Sequence, residues 1–279
     1  MINIFYKNSK ILILTMFKIN FAIPSIFRYL ILLITIVSSN FAMANPARNI
    51  TVFAEPNMAL PLSIIARNFS QKNNAVVSIN FNSAFDLLNE IDQGAPANVF
   101  VSAHPQIIEN LKQKGLVDVY NIAYIANDTL TLCTSKDNNK FPLGLLKKNI
   151  SLENSLKILD ENKLKLIIEH DGISSGYYGK KIIQDLSLGN LNLFYKLIED
   201  KSSLIRDIEI NKDTYGIVFL SQLYKNNNLR ALSLQKDKII YYQAFVIAGE
   251  NMDVAREFLN FLKSQDSKKT LRSNGFIVD

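Results

Sequence analysis

From Asn45 onward, short apolar runs alternate with longer stretches whose apolar positions recur every three or four residues, the patterns of buried strands and amphipathic helices. Strands are predicted at Ile50 to Ala54, at Ala75 to Phe81 with Val77, Ile79 and Phe81 on one face, and at Val99 to Ser102. Helices are predicted between them at Ala59 to Gln71, Ala84 to Gln93 and Pro105 to Lys114, the last stopped by Gly115. After Asn127 the alternation resumes, with strands at Leu130 to Thr134, Leu164 to Ile168 and Gly216 to Leu220 and helices at Ser151 to Asp160, Tyr178 to Leu186 and Ser202 to Ile210. An extended segment at Ile239 to Ala248 and a helix at Met252 to Ser264 complete the pattern. Strands that take turns with helices predict an α/β fold with mostly parallel sheets.

The turns are polar and short, as at Asp137 to Lys140 and Lys225 to Asn228, with no repeat and no low-complexity linker. Two independent domains in series are therefore not expected; two lobes that share chain crossings fit better. The N-terminus reads differently. Lys18 and Arg28 precede an uncharged apolar run from Tyr29 to Val37, which Ser38, Ser39 and Asn40 close ahead of Ala42-Met43-Ala44. A basic flank, a short apolar core and an A-x-A site predict a secretory signal peptide over 1–44, cleaved after Ala44. The apolar run is too short for a membrane span, which needs roughly 20 residues. Met16 is an alternative start.

Charge follows from that export segment. Residues 1–44 carry Lys7, Lys10, Lys18 and Arg28 and no acid, so their removal lowers the net charge from +6 to +2. The basic balance thus lends no support to nucleic-acid binding. Cys133 is the only cysteine, which excludes an internal disulfide or a CxxC site. It is expected in the core of its strand. No cysteine follows the signal run to carry a lipid anchor. The two histidines, His104 and His170, both at predicted strand exits, form no metal-ligand or catalytic spacing, so neither zinc nor nucleophilic chemistry has material.

What the chain does supply is helix N-termini directly after strands, which present backbone N–H groups to anions. Asn57 is expected to cap the helix holding Pro61. Ser83-Ala84-Phe85-Asp86 has the S-x-x-D capping-box form. Ser174-Ser175-Gly176 stands at the entry of the helix of Tyr178, and Lys201-Ser202-Ser203 opens another.

Several blocks, in order, resemble one family. These are Ile50 to Ala54, Gly94-Ala95-Pro96-Ala97 with Val99 to Ala103, Asn127-Asp128-Thr129-Leu130, Ser175-Gly176-Tyr177-Tyr178, Tyr215 to Phe219, and Asn274-Gly275-Phe276. Together they cover nearly all of 49–279 and resemble the periplasmic oxyanion-binding proteins of ABC importers, above all the molybdate binders. The resemblance implies a two-lobed periplasmic-binding-protein fold with a hinge. Residues 45–127 and 239–279 would form one lobe and 128–238 the other. It implies a monomer without cofactor, metal or catalysis that carries molybdate or tungstate to an inner-membrane ABC permease. The implied ligand positions are Asn57, Ser83 with Ala84, Ser175, Lys201 and Phe219.

Those positions depart from the family. Asn57 and Ala84 stand where molybdate binders have serines, and Phe219 where they have a tyrosine. Each lost hydrogen bond to a charged oxyanion costs roughly 1.5–3 kcal/mol, with Ser83, Ser175 or Lys201 placed to compensate. Glu55, one residue past the first strand, is expected in solvent, as is Lys201; facing the cleft, Glu55 would repel an anion. Three other readings stay open. Ferric ion could bind through Tyr177-Tyr178 or Tyr241-Tyr242, and a small organic acid through Asn57, Ser83 and Ser175. A protein that kept the fold but lost its ligand would show a cleft plugged by Phe85 and Phe219.

Overall fold

The computed structural model describes residues 48–147, 149–188, 191–196, 203–235 and 238–279. The predicted signal peptide lies outside the described residues, as do Lys201 and Ser202. The first half runs β1 (Asn49–Ala54), α1 (Ala59–Asn73), β2 (Val76–Phe81), α2 (Ala84–Asp92), β3 (Val99–Ser102), α3 (Pro105–Gln113) and β4 (Val117–Asp128). The second runs β5 (Leu130–Ser135), α4 (Leu152–Glu161), β6 (Lys165–Glu169), α5 (Ser174–Asp185), β7 (Asn192–Lys196), α6 (Leu204–Ile210), β8 (Tyr215–Phe219) and β9 (Leu229–Leu234). The chain then returns through β10 (Ile240–Ile247), α7 (Met252–Leu262) and α8 (Gln265–Arg272).

Two five-stranded sheets result, ordered β2-β1-β3-β10-β4 and β7-β6-β8-β5-β9. In each, three strands pair in parallel, and one reversed strand, β10 or β5, pairs antiparallel on both its sides. The reversed strand is the one that has just crossed from the other lobe. The expected α/β, mostly parallel, two-lobed architecture is thus observed. Parallel strands buried on both faces read as unbroken apolar runs, and every residue of β3 and β8 is buried.

Local chemistry fixes the helix starts. Ser83, Ser151, Ser203 and Ser264 each accept a backbone N–H of the first turn, satisfying a donor the helix itself leaves unpaired. α5 begins at Ser174, four residues before the predicted start, so Ser174 and Ser175 belong to its first turn. Asn57 does not cap a helix. It sits in a single 3-10 turn, Pro56–Met58, and α1 starts behind it without a side-chain cap. Phe100 stacks on Phe245 at 5.4 Å between rings, tying β3 to β10, and Phe69 meets Phe258 edge-on at 5.1 Å. Among the described residues no helix is long and apolar enough to cross a membrane.

The two lobes join where β4 passes into β5. Thr129 Oγ1 donates to the Gln235 carbonyl at 2.6 Å, and Gln235 N–H donates to the Leu130 carbonyl at 2.9 Å. Asn127 pairs with Ile277 near the C-terminus. Asp128 sits at this junction, 1 % exposed, with Oδ1 accepting the N–H groups of Thr129 at 2.8 Å and Ser221 at 3.3 Å. Burial pushes its carboxyl up from 3.8 to about 6. The folded protein therefore holds a proton that the unfolded chain has released across this interval, and stability falls as pH rises through it. Asp128→Asn should gain stability relative to the native protein on going from pH 4 to pH 8, by up to about 3 kcal/mol. Parallel urea titrations at the two pH values measure this; an equal difference at both would refute it.

Candidate functional site

The parallel register of β1 with β3 sets Val52 beside Val99 and Ala54 beside Val101. The next residue on each strand is then Glu55 beside Ser102, both at carboxyl ends, where open α/β sheets bind ligands. Glu55 is not in solvent as expected: it is fully buried. Its Oε1 accepts the Ser102 hydroxyl at 2.6 Å and the Ala103 N–H at 3.1 Å. From the second lobe, Ser174 at the N-terminus of α5 donates its N–H to Oε2 at 2.8 Å and its hydroxyl to Oε1 at 2.6 Å. All four donors are neutral. A negative charge thus rests between the lobes on hydroxyls, main-chain N–H groups and the positive end of a helix dipole.

Packing behind α5 makes this approach possible. A Cβ on Gly176 would run into the carbonyl oxygens of Glu169 and His170, so glycine lets the first turn of the helix lie directly on the end of β6. Ser175 donates its hydroxyl to the Glu169 carboxylate. Burial, opposed by that bond, pushes the Glu169 carboxyl above its ordinary range, and the nearby Glu55 charge pushes the same way.

Further contacts bridge the lobes beside the carboxylate. His104 is fully buried and places Nε2 3.0 Å from the Asp171 carbonyl, which can only accept, so Nε2 carries the proton. Burial lowers the imidazole pKa, and among the described residues its Nδ1 has no partner. The ring lies between Phe85 and Tyr177, at 5.0 and 4.6 Å. Tyr178 donates its hydroxyl to the Ala103 carbonyl at 3.2 Å, and Phe85 N–H reaches the Gly172 carbonyl at 3.4 Å. Two cavities flank α5. One, of about 300 Å³, includes Phe85, Asp171, Tyr177 and Lys180 in its wall; the other, of about 480 Å³, includes Tyr178, Lys181, Lys238 and Tyr241.

Those positions implied by resemblance that are among the described residues fall around this centre without lining either cavity. Asn57 donates its side-chain amide to the hydroxyl of Tyr242, leaving Oδ1 buried without a partner among the described residues. Phe219 packs against the same tyrosine at 5.8 Å, and Phe276 also meets it, at 5.5 Å. Burial, with Glu55 and Asp128 adding to it, raises the Tyr242 pKa well above the usual value. Ser83 is spent on capping α2, accepting Asp86 N–H at 3.0 Å and donating to its carboxylate at 2.7 Å, and Ala84 is fully buried behind it. Lys201 lies outside the described residues. The Tyr241-Tyr242 pair diverges, Tyr241 47 % exposed and Tyr242 fully buried, on opposite faces of β10, whereas Tyr177 and Tyr178 meet edge-on at 5.2 Å. Among the described residues no group of three or more His, Cys, Asp or Glu is placed to hold a metal ion.

Residues 50–277 match a family profile described as bacterial extracellular solute-binding protein. The chain belongs to this family. The solute-binding protein is 25 % identical over 254 residues to the molybdate-binding protein ModA of Haemophilus influenzae, covering 86 % of this chain and 94 % of that one. Its fold is similar to the periplasmic molybdate-binding protein of Azotobacter vinelandii, with a TM-score of 0.63 and 17 % identity over 82 % of this chain and 99 % of that one. It is also similar to the tungstate ABC transporter structure from Geobacter sulfurreducens, with a TM-score of 0.64 and 12 % identity over 80 % and 97 % of the two chains.

Sequence reasoning placed Glu55 in solvent and passed over Ser102 and the first-turn role of Ser174 in this solute-binding protein. The signal was present in the register, since two parallel neighbouring strands ending at Ala54 and Ser102 bring 55 and 102 together. Ser174→Ala removes one hydroxyl donor to a buried carboxylate and leaves the main-chain donor. It should cost about 1.5–3 kcal/mol, read as a lower urea midpoint at unchanged slope; an unchanged midpoint would show the contact to be idle.

Proposed function

We propose that this protein captures a small oxyanion, molybdate or tungstate, between its lobes and delivers it to an inner-membrane ABC permease after the 1–44 segment has directed it to the periplasm. The lobes are residues 45–127 with 239–279, and 128–238. One observation carries the reading: Ser102, Ala103 and Ser174, from both lobes, aim four neutral N–H and O–H donors at one negatively charged group. Donors of this kind fixed at a helix N-terminus bind a deprotonated oxyanion without needing a cation. Asn57 and Ser175 lie next to the cradle, whereas Ala84 and Phe219 bring no side-chain donor. The names of the relatives agree with the reading, since molybdate and tungstate are what their names give.

A second reading is favoured by a particular observation. Phe219 is buried against Tyr242 and Glu55 fills the cradle, as in a protein that kept the fold and acts through protein contacts alone. Isothermal titration of the purified exported protein with molybdate, tungstate, sulfate and phosphate separates the two. Saturable heat with molybdate or tungstate is expected; no heat with any of the four would favour the second reading.

A further inference from the structure

We propose that the Glu55 carboxylate is an internal ligand of the oxyanion cradle, so that solute binding is an exchange in which the anion displaces this side chain. The inference rests on the reading of the cradle as an anion site. Glu55 occupies both oxygen positions that the donors define: Oε1 takes Ser102, Ala103 and the Ser174 hydroxyl, and Oε2 takes the Ser174 N–H. Among the described residues no formal positive charge joins these contacts, and the four donors serve one anionic group. A second anion placed there would meet the carboxylate as a like charge in a site closed to water.

The electrostatics of the neighbours agree. Burial is the leading cause of the raised pKa values of Glu169, Tyr178 and Tyr242, and Glu55 adds to each. Because the side chain is tethered one residue past β1, it competes at high effective concentration. It also joins the lobes through Ser174, which lets the protein close with no solute present. A competitor that fills the cradle in about nine molecules of ten raises the apparent Kd about tenfold. Glu55 is thereby a specificity residue: only an anion that gains more from the four donors than a carboxylate does can enter.

Glu55→Gln and Glu55→Ala test this. The glutamine keeps the shape but turns N–H groups toward the donors, and the alanine empties the cradle. Thermal unfolding of both confirms that they fold, and solution X-ray scattering without solute reports whether the lobes separate. Titration with sodium molybdate then gives the affinity. The expected result is a larger solute-free radius of gyration in both variants, reversed by molybdate, with an affinity about tenfold or more above that of the native protein. Native binding with no gain in either variant overturns the internal ligand and leaves the transport reading intact. Binding by the variants alone upholds the internal ligand and overturns transport of molybdate by the native chain. Binding by none overturns both. If only the alanine variant fails to fold, the glutamine variant decides.

Discussion

A carboxylate withdrawn from water loses hydration worth several kcal/mol even after the protein relaxes around it, and Glu55 recovers that loss from hydroxyls and main-chain N–H groups alone. The requirement reaches far into the chain. β1 and β3 must keep the register that sets Glu55 beside Ser102, since a slip of one residue would turn the side chain to the other face of the sheet. α5 must begin at Ser174 and not later, because only the first turn of a helix has N–H groups free to donate. The first turn must also lie against β6, which is why a side chain cannot be accepted at Gly176.

Around that charge the protein has gathered groups that burial shifts toward their neutral forms. Glu169 and Asp128 are pushed up, His104 is pushed down, and Tyr242 is held far from ionisation. Each shift has the same leading cause, loss of water. Phe219 and Phe276 enclose Tyr242, and Tyr242 takes up the amide of Asn57. Positions where the resemblance calls for hydroxyls facing a ligand are here occupied by groups that pack or pair with one another.

The strands and helices up to Gln113 were legible because each stays apolar, or keeps one period, from end to end. β4 was not, because Asp118, Asn121 and the exposed Tyr120 and Tyr124 break the pattern of an edge strand. α8 was missed because its apolar face holds only Leu271 and the small Ser267. At the site, Ser83 and Ser174-Ser175-Gly176 were recognisable as helix entries from local spacing. The fate of Glu55 was not. An acid next to a turn is ordinarily solvated, and its burial depends on Ser174, 119 residues away in sequence. Asn57 misled for the same reason: it resembles a cap locally, but its partner is Tyr242 in β10.

The place of β10 between β3 and β4 bears on how the chain assembles. Every strand of the second sheet comes from one continuous stretch, Leu130 to Leu234, so that half can complete its hydrogen-bond ladder by itself. The first sheet cannot. Until Ile240–Ile247 arrives, β3 and β4 each present an unpaired edge to an open slot, the state in which strands recruit foreign partners. The order of synthesis therefore makes the second lobe a finished body while the first still waits for its keystone strand, and a chain cut short before Ile240 would be left with a split and sticky sheet.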